Sequence, residues 1–141
     1  MSIKEDILEV VENTTFSIEE TAADTSEYIR KKIVKLYCRS DNTRNVLWEN
    51  FKEHACFSDP NGWRYVKELV NGKCVLFFNE ADDNSMLLIN SGDELDYILS
   101  ETYGFEFYVT DMECSYLLCF SDHDILYGCG SAYEKVKHLI R

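Results

Sequence analysis

At 141 residues the chain has the length of one domain, and a domain of that size buries roughly 70% of its unfolded surface around one core. Apolar residues make up 45% and aromatics 13%, with one proline and six glycines, a balance that builds a packed core and excludes intrinsic disorder. A net charge of -12 excludes nucleic acid and anionic lipid as ordinary partners, because both would be repelled.

The N-terminal half reads as helix. Ile3, Ile7, Leu8 and Val11 recur on one helical face, and Ser2 with Glu5 beyond it forms a capping signal. The opening MSIKEDILEVVENTT sets acids among its apolar positions and lacks the basic flank and apolar run of a secretory leader. No stretch approaches the roughly 18 uninterrupted apolar residues of a membrane span, so the expected location is cytoplasmic. After a linker holding Phe16 and Ile18, a longer amphipathic helix starts near Thr25 or Ser26 and carries Tyr28, Ile29, Ile33, Val34 and Tyr37. Arg30, Lys31, Lys32 and Lys35 lie on its polar side, the one dense basic cluster in the chain, and are expected to form a solvated face. A third helix is predicted from Asp41 or Asn42 as cap through Val46, Leu47, Phe51 and His54. Pro60, at a permitted first-turn position, introduces a short helix through Trp63, Tyr65, Val66 and Leu69, closed by Asn71 and Gly72.

From Lys73 the pattern changes. KCVLFFN and SMLLIN have the composition of short strands, joined as a hairpin by the acidic loop Glu80 to Asn84. Ser91 and Glu94 cap a helix through Leu95, Ile98 and Leu99 that ends near Tyr103 and Gly104. FEFYVTD alternates as a half-buried strand, and CSYLLCFS and DILYGCG make a second hairpin around Asp122, His123 and Asp124. Ser131 with Glu134 then caps a last helix through Tyr133, Val136, Lys137 and Ile140. The expected fold is α+β in one domain, residues 1–141, mainly helical over 1–70 and mixed strand and helix over 71–141. About five mainly antiparallel strands are predicted, with the helices packed on one face of the sheet.

Cysteine usage fits a reducing compartment. Most of Cys38, Cys56, Cys74, Cys114, Cys119 and Cys129 lie in apolar runs such as KCVLFF and YLLCF, where a reduced thiol packs as a small hydrophobe. The interval from Cys114 to Cys119 lacks the tight paired spacing of a structural zinc site, so no metal is expected.

Charge is the sharpest feature. From Cys74 to Tyr133 there is no lysine or arginine against twelve acids. Self-repulsion on that scale weakens the compact state, and a complementary positive partner explains it. Asp82 and Asp83 in the first hairpin loop and Asp122 and Asp124 in the second are the candidate protein-binding residues, since loops carry charge outward on a rigid scaffold. Whether the two loops share one face stays open. Tyr97, Tyr103, Phe105, Phe107, Tyr108, Tyr116 and Phe120 cannot all face inward, and an exposed tyrosine beside a carboxylate suits the centre of an interface.

Cys119, Asp122, His123 and Asp124 together contain a nucleophile, a base and carboxylates. Against catalysis, His123 falls at the tip of a turn, Cys119 sits on a strand facing the core, and DHD is a natural turn sequence. GCGS, Gly128 to Ser131, reads as a strand break and a helix cap, and the chain holds no glycine-rich phosphate loop, HExxH pair or CxxC motif.

The run FEFYVTDMECSYLLCFSDHDILYGCGSAYEKVKHLI resembles small acidic bacterial proteins of an uncharacterised family, and immunity proteins encoded beside contact-dependent or secreted toxins. The resemblance spans roughly Trp63 to Ile140. It implies a protein that binds one cognate toxin, often a nuclease with a basic active face, and blocks it without catalysing anything. The expected function is therefore a protein-binding inhibitor or immunity protein, without cofactor, whose partner is a basic protein. A generic regulatory interaction domain and a small enzyme using Cys119 and His123 are the alternatives, and the oligomeric state is left open.

Overall fold

The runs CVLF, MLLI, FYVT and YLLCF are apolar or aromatic at nearly every position, and strands of that kind need cover on both faces. The computed structural model, which describes residues 2–39, 47–102 and 104–139, provides that cover. Strands β1 (Glu19–Glu20), β2 (Ala55–Ser58), β3 (Cys74–Phe77), β4 (Met86–Ile89), β5 (Phe107–Thr110), β6 (Tyr116–Phe120) and β7 (Ile125–Gly130) form one sheet. Its order is β1-β4-β3-β5-β6-β7-β2, and every pairing is antiparallel. Helices α1 (Ile3–Val11), α2 (Ala23–Tyr37), α3 (Val66–Leu69), α4 (Gly92–Glu101) and α5 (Tyr133–Lys137) flank it. Among the described residues no helix is long and apolar enough to cross a membrane.

Two cores result, one on each side of the sheet. On the first, Leu76, Phe78, Val109, Leu118 and Leu126 meet Ile7 of α1, Val66 and Leu69 of α3, Leu95 and Ile98 of α4, and Val136 of α5. On the second, Val75, Phe77, Met86, Tyr108, Leu117 and Cys119 meet Ile29 and Ile33 of α2, with Leu47 and Phe51 beside them. The expectation of helices on one face is therefore corrected. Among the described residues the long helix α2 is the α-helix on the opposite face, because the strands there are as apolar as on the first. The half-buried alternation expected for FEFYVTD is likewise replaced by a strand buried on both sides.

Among the described residues the strand count also rises, from about five to seven. Both additional strands come from the N-terminal half and form the outer edges of the sheet. The segment expected as a third helix is a 3-10 turn, Leu47–Asn50, followed by β2, whose Cys56 pairs with Tyr127 and Phe57 with Leu126. The helix caps proposed there, Asp41 and Asn42, and Val46, lie outside the described residues.

Local signals read from side chains fare better. The Glu5 amide donates to Ser2 Oγ at 3.1 Å, and the Glu94 amide to Ser91 Oγ at 3.2 Å. At α5 the cap is different: the helix begins after Ala132, and the Ser131 amide instead donates to the Ser115 carbonyl at 3.0 Å. Close seating of α5 on β7 requires Gly128, where a Cβ would stand 2.5 Å from Val136 Cγ2. All six cysteines are free thiols, Cys56 exposed and the other five buried.

Candidate protein-binding site

Register decides where the acidic loops project. Phe77 pairs with Tyr108, Tyr108 with Cys119, and Cys119 with Tyr127, so β3 and β6 end level with the starts of β5 and β7. The loop after β3 and the turn after β6 therefore leave the same end of the sheet.

A buried carboxylate joins them. Glu106, immediately before β5, is only 7% exposed. Its Oε1 accepts from Trp48 Nε1 at 2.9 Å and from the Asp122 amide at 3.1 Å, and its Oε2 accepts from Asn79 Nδ2 at 2.6 Å. Asn79 belongs to the first acidic loop and Asp122 to the second, so one side chain grips both. Three donors meet the requirement that a carboxylate taken out of water be hydrogen-bonded. The network continues inward: Tyr108 Oη donates to Asn79 Oδ1 at 2.7 Å and accepts from the Leu47 amide at 3.0 Å. Burial pushes the Tyr108 phenol up, so it stays protonated and able to donate.

In front of this network lies an open groove of about 540 Å³, lined by Asp6, Asp82, Phe105, Glu106 and Asp122 with Ser2 and Ile3 of the α1 start. Among the described residues no lysine or arginine lines it. Four carboxylates with no counter-charge in one concavity hold a focused negative potential suited to a cation.

The four candidate contacts divide into two pairs. Asp82 and Asp122 face the groove. Asp83 and Asp124 build the turns. Asp83 Oδ2 accepts from the Lys4 amide and Oδ1 from the Ser85 amide, both at 2.9 Å, tying the loop to the first turn of α1. Burial pushes the Asp83 carboxyl up, but those amide bonds and the Lys4 charge outweigh it and hold it below the usual carboxylate range. Asp124 takes a left-handed conformation, φ 60°, and its carbonyl accepts from the Asp59 amide at 2.9 Å. Asx residues tolerate that conformation best.

Cys119 and His123 are not brought together. Cys119 is fully buried on the α2 side, and burial pushes its thiol well above the ordinary value, so the reactive thiolate is suppressed. His123 is exposed in the turn, where its ring packs edge-on against Trp48 at 5.9 Å and stands 3.6 Å from Asp122. Among the described residues no group of three or more His, Cys, Asp or Glu side chains could hold a metal ion.

Arg30 departs from the solvated face expected of it. Its guanidinium lies 5.3 Å from the centre of the Phe77 ring, donates to the Phe78 carbonyl at 3.2 Å and pairs with Glu80 at 3.3 Å. Burial lowers its pKa, and Glu80 offsets part of that. The result is a clamp from α2 onto the first acidic loop. Of the aromatics expected to be partly exposed, Tyr97 is, while Phe107, Tyr108, Tyr116 and Phe120 are buried and Phe105 is half-buried at the groove. Tyr103 lies outside the described residues.

Glu106, Asn79 and Trp48 were hidden from sequence reasoning. Glu106 is one of the twelve acids between Cys74 and Tyr133, and its setting between Phe105 and Phe107 at the head of a strand is the sign of burial that the sequence carries. No curated protein and no solved structure matches the chain. The model of DUF6756, a family of unknown function, matches residues 2–140, and the chain belongs to that family.

Proposed function

We propose that this protein is an inhibitor of the immunity type, which holds a basic protein such as a nuclease toxin against the acidic end of its sheet in the cytoplasm of the cell that makes it. The observation that carries the reading is the grip of Glu106 on both acidic loops, which sets Asp82 and Asp122 in one groove before any partner arrives. A surface ordered in advance loses little entropy on binding. Its charge raises the rate of encounter with a cationic partner and repels anionic ones.

The test begins with the purified protein as bait in its native cell extract at low and at moderate salt. A retained basic protein is then studied by stopped flow. With the Asp82→Asn/Asp122→Asn double variant, association at low salt is expected to slow about tenfold and to lose most of its salt dependence, with dissociation little changed. Equal association rates for the variant and the unaltered protein would remove the basis of the reading.

A further inference from the structure

Beside the acidic groove lies a second, smaller depression of about 150 Å³, lined by Trp63, Leu99, Phe105, Phe107 and Phe120 and bounded by Gly104. Gly104 and Phe105 border both hollows, so the two share a wall. The slot is apolar in character and partly open to solvent. Its one buried hydroxyl, on Thr102, is already satisfied, donating to the Ile98 carbonyl at 2.7 Å. An apolar cavity of about 150 Å³ lined by aliphatic and aromatic groups is the size that takes up one benzene ring. The rings of Phe105, Phe107 and Phe120 stand 6.3 and 6.0 Å apart in sequence around it and offer edges and faces to an inserted ring.

We propose that this slot receives one aromatic side chain of the protein partner while the adjoining groove receives a cationic side chain of the same segment. The inference rests on the reading of the groove as the partner-binding surface, and it names the anchor. Charge complementarity selects the neighbour of that anchor: Asp6, Asp82, Glu106 and Asp122 face a side chain that lies across the Phe105 wall from the ring. Interface hot spots are enriched in aromatic residues and arginine seated in well-packed pockets.

The experiment uses the ¹⁵N-labelled full chain and three N-acetylated peptide amides: arginine and phenylalanine joined by a short glycine spacer of varied length, the same peptide with glycine for phenylalanine, and the same with glutamate for arginine. Amide shifts are expected at Leu99, Gly104, Phe105 and Asp122, with the two-part peptide binding about tenfold more tightly than either control. Asp82→Asn/Asp122→Asn is expected to remove the advantage given by arginine, and Leu99→Trp, which fills the slot, the advantage given by the ring. If the arginine peptide without a ring binds as tightly as the two-part peptide, the slot is idle and the proposal falls while charge capture stands. If the glutamate peptide binds equally well, the proposal and the charge reading of the groove fall together. Absence of shifts at the slot with every peptide overturns the proposal, as does self-association of the chain that Leu99→Trp abolishes, which would assign the slot to a second copy. The peptide comparison uses the unaltered chain and decides the matter even if a variant fails to fold.

Discussion

A carboxylate with 7% exposure has left water, and Glu106 recovers its hydrogen bonds from three donors on separate segments of the chain. Glu106→Ala strands all three, and the expected loss is roughly 2–4 kcal/mol, read as a lower urea midpoint together with a change in Trp48 fluorescence. An unfolding free energy within about 0.5 kcal/mol of the unaltered protein's would show that the three donors find water instead. The thiols give a second prediction at this scale. Burial pushes Cys38 up to about 11 and Cys74 and Cys129 up to about 12, while Cys56 is exposed. One thiol should therefore react quickly with an aromatic disulfide reagent near neutral pH and the other five only on unfolding. The same groups set an alkaline limit. Unfolding frees them to ionise from their ordinary value of 9.0, so the stability they contribute is complete below pH 9.0 and is lost as pH rises toward about 12. The acid side has the opposite sign: Asp83 is held below its ordinary 3.8, and its contribution, present above that value, fades as pH falls further.

Among the elements, α2 decides the architecture, because among the described residues it is the α-helix that covers the second face of the sheet. Ile33→Ala opens a cavity under it and is expected to cost about 2–5 kcal/mol by urea unfolding. Gly128→Ala drives a methyl into Val136 and the Ala132 carbonyl and should lower stability by roughly 1–3 kcal/mol, with α5 lifting from β7. Elements held by their own side chains were legible: the Ser2 and Ser91 caps and both hairpins stand where the sequence places them. Two-sided burial is also written in the unbroken runs VLFF and YLLCF, whereas the alternation in FEFYVTD fits a single covered face. The outer strands were not legible, since Glu19–Glu20 has no apolar residue and β2 is a strand only because β7 lies beside it. Leu47 and Phe51 misled for a related reason. Their spacing suits a helix, yet both reach the core from a 3-10 turn and the extended stretch after it. Within the candidate site, the missing cations single out all four loop aspartates, Asp82, Asp83, Asp122 and Asp124, whereas the coupling through Glu106 depends on how β3 registers against β5, a pairing that no hairpin turn fixes.

Across the whole molecule, a net charge of -12 opposes compaction. Screening should relieve it, so the thermal midpoint is expected to rise by a few degrees, about 2–5 °C, between roughly 0.05 and 0.5 M sodium chloride, as followed by scanning fluorimetry. A midpoint that falls with salt would mean that attractive pairs such as Arg30 with Glu80 outweigh the repulsion. The routing of the chain has a further consequence, and it concerns time. Glu19 pairs with Leu88 and Ala55 with Gly128, so both rims of the sheet are made from segments that leave the ribosome long before their partners. Until β7 has emerged, β2 has no neighbour, and until β2 returns, the hairpin of β6 and β7 shows a bare edge to any other strand in the cell. Such distant pairing places refolding in the slower, millisecond-to-second range. The interval before the rims close is when a nascent chain is most exposed to pairing with a stranger, and a chaperone would be of most use then.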